Sequence, residues 1–90
     1  MTIIKEASAG TDTSGDVIVT VAPAGQESIE VQSPVGDMFG DAILHTVREV
    51  LEQLDAQPCA VRIQDRGALD YVLRARTETA LLRAAKEAEA

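Results

Sequence analysis

Val17, Val19 and Val21 alternate with Ile18 and Thr20, a β-branched period of two that predicts a strand. Pro23-Ala24-Gly25 breaks the run, and Ser28-Ile29-Glu30-Val31-Gln32-Ser33 resumes it with Ile29 and Val31 inward. Glu30 and Gln32 face the other way, so one sheet face is expected to meet water. The Pro/Gly connection suits an antiparallel hairpin between these two strands. Asp37 is the expected N-cap of a helix over 37–55, where Phe39, Ile43, Val47, Val50, Leu51 and Leu54 recur at steps of three and four. On that reading Phe39 anchors the core and Gly40 lets the helix pack closely against a neighbour or a partner subunit. The pairs Asp41–His45 and Arg48–Glu52 lie four apart on its polar side.

Asp55-Ala56-Gln57-Pro58 stops the helix, and Cys59, Val61 and Ile63 alternate with Ala60, Arg62 and Gln64 as a third strand. Asp65 is expected to cap a second helix, with Asp70 in its first turn. Leu69, Val72, Leu73, Ala80 and Ala84 form the apolar face of that helix, and Asp70–Arg74, Arg74–Glu78 and Arg83–Glu87 are four-apart pairs. Met1–Lys5 reads as an edge strand or a frayed start. Residues 6–16, rich in Gly, Ser, Thr, Asp and Ala, read as loop, and 86–90 as a fraying tail.

The order strand, strand, helix, strand, helix predicts one α+β domain over 1–90. Its architecture is a two-layer sandwich, a small three-stranded sheet with two helices on one face. The strands flanking the first helix should run parallel through a right-handed crossover. A third strand lying beside the first would make every neighbouring pair antiparallel.

Composition narrows the function classes. Only Phe39 and Tyr71 are aromatic and the formal net charge is -7, which argues against a nucleic-acid partner, since that wants basic grooves and stacking platforms. Residues 1–47 hold seven acids and one base, against eight acids and seven bases in 48–90, so the first half carries most of the negative charge. A basic docking face on a partner would complement it, although a solubilising surface is the commoner meaning of such a bias. Cys59 is the sole cysteine and reads as a small buried hydrophobe. No apolar run approaches a membrane span and no leader is evident, so a cytoplasmic protein is expected.

Catalytic machinery is sparse. His45, the single histidine, lies on a polar helix side without a supporting motif, and no metal, phosphate-loop or dinucleotide fingerprint occurs. What remains is Ala9-Gly10-Thr11-Asp12-Thr13-Ser14-Gly15-Asp16, a small polar stretch with glycines on both sides of Ser14. Its other hydroxyls compete with Ser14 on equal terms, but the position suits a serine modified by another enzyme: exposed, flexible and needing no base of its own.

Taken with Phe39-Gly40-Asp41-Ala42-Ile43, Gly67-Ala68-Leu69-Asp70 and Leu73-Arg74-Ala75-Arg76, the stretch resembles the acyl carrier protein, or gamma chain, of citrate lyase. The resemblance runs from Ala9 to about Ala85. It implies that Ser14 carries 2'-(5''-phosphoribosyl)-3'-dephospho-coenzyme A through a phosphodiester link, installed by a prosthetic-group transferase. It implies citrate lyase alpha and beta subunits as partners, working on acetyl and citryl thioesters of the arm while this chain does no catalysis itself. Arg74 and Arg76 then face a partner or the arm's phosphates, or form an ordinary solvated surface. The Asp-Ser-Leu attachment motif of fatty-acid carriers is absent, and the strands are wrong for their four-helix bundle. The competing readings are the carrier subunit of malonate decarboxylase, which uses the same type of arm, and a non-catalytic assembly module.

Overall fold

The computed structural model describes residues 1–34 and 36–86, with the side chains of Gly36 and Asp37 outside that description. Four strands, β1 (Ala7–Gly10), β2 (Val17–Pro23), β3 (Ser28–Gln32) and β4 (Cys59–Asp65), join two helices, α1 (Gly36–Gln53) and α2 (Asp70–Ala85). The sheet runs β1-β2-β4-β3, antiparallel except for the β3–β4 pair. The α+β class and the parallel direction of the strands flanking α1 agree with expectation, but the sheet has four strands rather than three, and β4, though beside β2, also pairs in parallel with β3, so not every neighbouring pair is antiparallel.

The expected hairpin between β2 and β3 does not form. Instead β4 lies between them, with Val19 opposite Ile63 on one side and Val31 opposite Ile63 on the other. The physical reason lies in side-chain character. β4 hides Cys59, Val61, Ile63 and Asp65, whereas no β3 residue is fully buried and Ser28, Glu30 and Gln32 are polar. A strand of that kind belongs at a sheet edge. β1 arises within the segment expected as loop. Its small residues give no alternation to read, and Gly10 closes it at φ 102°, where an added Cβ would sit 1.7 Å from the Val17 carbonyl oxygen. Only glycine allows the backbone to turn that close to β2.

Val17, Val19, Val21, Val61 and Ile63 turn one sheet face toward both helices, meeting Val47, Val50 and Leu51 of α1 and Leu73, Ala80, Leu81 and Ala84 of α2 in a single core. Thr77 is also fully buried, and its hydroxyl donates to the Leu73 carbonyl at 2.7 Å, which removes the cost of an unpaired polar group. The N-terminal segment is neither a strand nor a free end. Ile3 is buried, and the Ile4 and Lys5 amides both donate to the Ala84 carbonyl.

Several local expectations shift. Phe39 is half exposed rather than a core anchor, and Leu69 is exposed rather than on the buried face of α2. A Cβ at Gly40 would touch nothing within 4 Å, so no close packing within the chain requires that glycine. α1 begins one residue before Asp37, whose side chain lies outside the described residues. His45 pairs with Glu49 rather than Asp41. Asp65 does not cap α2: its carboxylate receives the Gly67 and Ala68 amides, while α2 starts behind Leu69 without a side-chain cap. Glu87, and with it the Arg83–Glu87 pair and most of the expected tail, lies outside the described residues.

Candidate functional site

Ser14 occupies the tip of a tight turn between β1 and β2. The Asp16 amide donates to the Thr13 carbonyl at 2.9 Å, and Gly15 takes a φ of 85°, the positive value that type II turns require at their third residue. Ser14 is exposed and its hydroxyl has no partner among the described residues. Space around the tip is open, since a Cβ built at Gly15 meets nothing within 4 Å.

The flanks of the tip are held firmly. The Gly15 amide donates to the Arg66 carbonyl at 2.7 Å, and the Arg66 amide returns a bond to the Asp16 carbonyl at 2.9 Å. Asp16 is the hub: its carboxylate accepts Nε and Nη2 of Arg76 at 3.1 and 2.9 Å, the Thr11 hydroxyl at 2.6 Å and the Val17 amide at 2.8 Å. The Arg76 guanidinium, followed by Thr11 and the Val17 N–H, holds that carboxyl well below the usual carboxylate range. On the other flank Arg66 Nε donates to Asp12 at 2.6 Å.

Charge around the turn therefore differs from what linear order suggests. The two acids nearest Ser14 come from the acidic half of the sequence, but each is met by an arginine from the basic-rich half. The tip is close to neutral within an acidic protein. Arg76 has a defined internal partner, and so does Arg74, which joins Asp70 of its own helix to Glu49 of α1. The Thr46 hydroxyl completes this cluster by donating to Asp70 at 2.6 Å. Hydrogen bonding from Thr46, then Arg74, lowers the Asp70 carboxyl, and Arg74 does the same for Glu49.

Next to the turn lies a groove of about 370 Å³ between α1 and the β4–α2 connection. Phe39, Ala42, Ile43 and Thr46 of α1 line it, with Asp65, Gly67, Ala68 and Leu69 of the connection and Asp70 and Leu73 of α2. In the sequence, Ser14 is linked to the three later strings, those of Phe39, Gly67 and Leu73, only through resemblance. The contact that joins the turn to the last of them spans 60 residues between Asp16 and Arg76, and no local spacing rule reaches that far. A residual signal was Asp16 itself, an acid directly before a strand.

His45 is exposed, with Nε2 3.2 Å from Glu49, and no hydroxyl is given to it as a partner among the described residues. Among the described residues no three His, Cys, Asp or Glu side chains gather as a metal site, and no helix is long and apolar enough to cross a membrane. Cys59 is buried, and desolvation pushes its thiol up, away from the reactive thiolate.

The chain is similar to known proteins over nearly its whole length. An acyl carrier family model, described as the malonate decarboxylase delta subunit, matches residues 4–84. A chain from the crystal structure of a Pseudomonas malonate decarboxylase hetero-tetramer superposes with a TM-score of 0.79 at 25% identity, covering 90% of this chain and 84% of that one. Sequence similarity is much higher to two curated relatives, both citrate lyase acyl carrier proteins. That of Yersinia enterocolitica is 51% identical over 89 residues, 97% of this chain and 92% of the relative. That of Serratia proteamaculans is 49% identical over 86 residues, 93% and 84% respectively. The chain belongs to the citrate lyase acyl carrier protein family.

Proposed function

We propose that this chain is the acyl carrier subunit of a citrate lyase and that Ser14 is its attachment residue. The observation that carries the reading is an exposed, unpartnered Ser14 hydroxyl on a turn whose flanks are fixed by Arg66 and Arg76. The residues fit a phosphodiester-linked group. The hydroxyl is accessible, the space beyond Gly15 is open, and both neighbouring carboxylates are paired with arginines, so little repulsion opposes added phosphates. A group of the 2'-(5''-phosphoribosyl)-3'-dephospho-coenzyme A type supplies a terminal thiol that carries acetyl or citryl as a thioester. This chain holds the group's root, presents it outward and offers the turn to a prosthetic-group transferase. Alpha and beta subunits bring the chemistry of acyl exchange and citryl cleavage.

Malonate decarboxylase is the second reading, favoured by the family model's description and by the structural likeness. Relatives at about half identity outweigh a likeness at 25%. Co-expression with the modifying enzymes followed by peptide mapping tests the site: the added mass is expected on the peptide holding Ser14 and absent from Ser14→Ala. A Ser14→Ala protein that still gains the mass overturns the assignment. Reconstitution with citryl against malonyl thioesters separates the two complexes.

A further inference from the structure

The groove beside the turn has no role in attachment, yet its wall is bonded directly to the turn. Gly15 and Asp16 exchange backbone hydrogen bonds with Arg66, and the next two residues, Gly67 and Ala68, line the groove. Bond lengths along the path from Ser14 through the Gly15 amide and the Arg66 carbonyl keep the Ser14 and Gly67 Cα atoms within about 8 Å. Anything tethered to Ser14 by a long flexible arm thus has this apolar groove within reach, and closing such a loop costs little extra for added length.

The lining also discriminates by charge. Phe39, Ala42, Ile43, Ala68, Leu69 and Leu73 provide an apolar trough, while its acidic members are engaged, Asp65 by Ser33, Gly67 and Ala68 and Asp70 by Thr46 and Arg74. No lysine or arginine lines it, and the nearby Arg74 is committed to Asp70 and Glu49. An uncharged acyl end finds apolar contact there. One bearing free carboxylates would give up water in an apolar trough that offers it no free cation, which is unfavourable.

We infer that the groove of Phe39, Ala42, Ala68 and Leu69 receives the neutral, acetylated end of the arm rooted at Ser14 and excludes the anionic citryl end. The inference rests on Ser14 being the attachment residue. It makes the resting form of the carrier a closed one, shielded from water and stray nucleophiles, and the citryl form an open one.

The test uses the modified, full-length protein with its attachment first mapped by mass. Amide NMR shifts are compared among the free-thiol, acetyl and citryl forms, and the acetyl thioester is challenged with hydroxylamine. Acetylation is expected to move the amides of Ala42, Gly67, Ala68 and Leu69, while citryl loading leaves them near the unmodified positions. Ala42→Trp, an exposed position on the groove wall, is expected to raise hydroxylamine cleavage at least about fivefold by blocking the shelter. Gln53→Trp, exposed at the other end of α1, should leave the rate unchanged. Mass on Ser14 with unmoved groove amides and equal cleavage rates overturns this inference and leaves the attachment intact. Groove shifts that arise only when a partner subunit is added overturn it in favour of a protein-docking face. Mass on another residue, or none, overturns the attachment and the inference together.

Discussion

The β2–β4 ladder and the Ser14 turn are continuous in the backbone and opposite in how they are held. In the ladder, Val17, Val19, Val21, Val61 and Ile63 are at most 2% exposed and stability comes from apolar burial. One residue before it, the turn has no apolar side chain and is held by charge-assisted hydrogen bonds converging on Asp16 and by two backbone bonds to Arg66. The first arrangement tolerates no access. The second fixes both flanks of a segment while leaving its tip in water, which is what a modifying enzyme requires.

Truncations should separate the two most sharply. Ile63→Ala removes a fully buried side chain and is expected to cost about 2–5 kcal/mol in denaturant unfolding. Gly10→Ala attacks the junction, forcing a Cβ onto the Val17 carbonyl at a positive φ, and should cost at least about 2 kcal/mol. If Gly10→Ala is nearly neutral, the close approach of β1 to β2 is wrong.

Smaller and of different character is the response to acid. The Asp16 carboxyl is depressed in the folded chain, so the unfolded chain binds the proton first as pH falls. Its stabilising contribution is complete above the unfolded value of about 3.9 and fades as pH drops toward the folded one. Asp16→Asn should therefore be less stable than the parent near pH 6, with the gap beginning to narrow only as pH falls through about 4 and closing well below pH 3, as urea midpoints across that range would record. Parallel curves would show that the Arg76 contact contributes nothing in solution. Glu49 and Asp70 are lowered too and leave a residual slope in the variant. Least of all, Ser14→Ala should move stability by no more than about 0.5 kcal/mol, because the side chain it removes has no partner.

Legibility in the sequence followed the same division. β2, β4 and the middle of α1 announced themselves because burial imposes a period, as with Val47, Val50 and Leu51. β1 did not, since Ala7-Ser8-Ala9-Gly10 owes its strand to pairing with β2 rather than to side-chain pattern. Lateral strand order was equally hidden, being decided by which strand could stand an exposed edge. Phe39 misled because an aromatic on an apolar stripe ordinarily points inward, whereas here it rims a groove. Ser14 was singled out by family resemblance. Its anchoring by Arg66 and Arg76 was not readable, because salt bridges between residues more than fifty positions apart leave no periodic trace.

Cys59 carries a last implication. A carrier that works through a thiol on a borrowed arm is poorly served by a competing sulfur of its own. The chain's one native sulfhydryl is buried in β4 with its thiol pushed up by desolvation, so on the proposed function the thiol of the arm would meet no exposed cysteine of this chain. Alkylating reagents applied to the folded, loaded protein should consequently report on the arm alone.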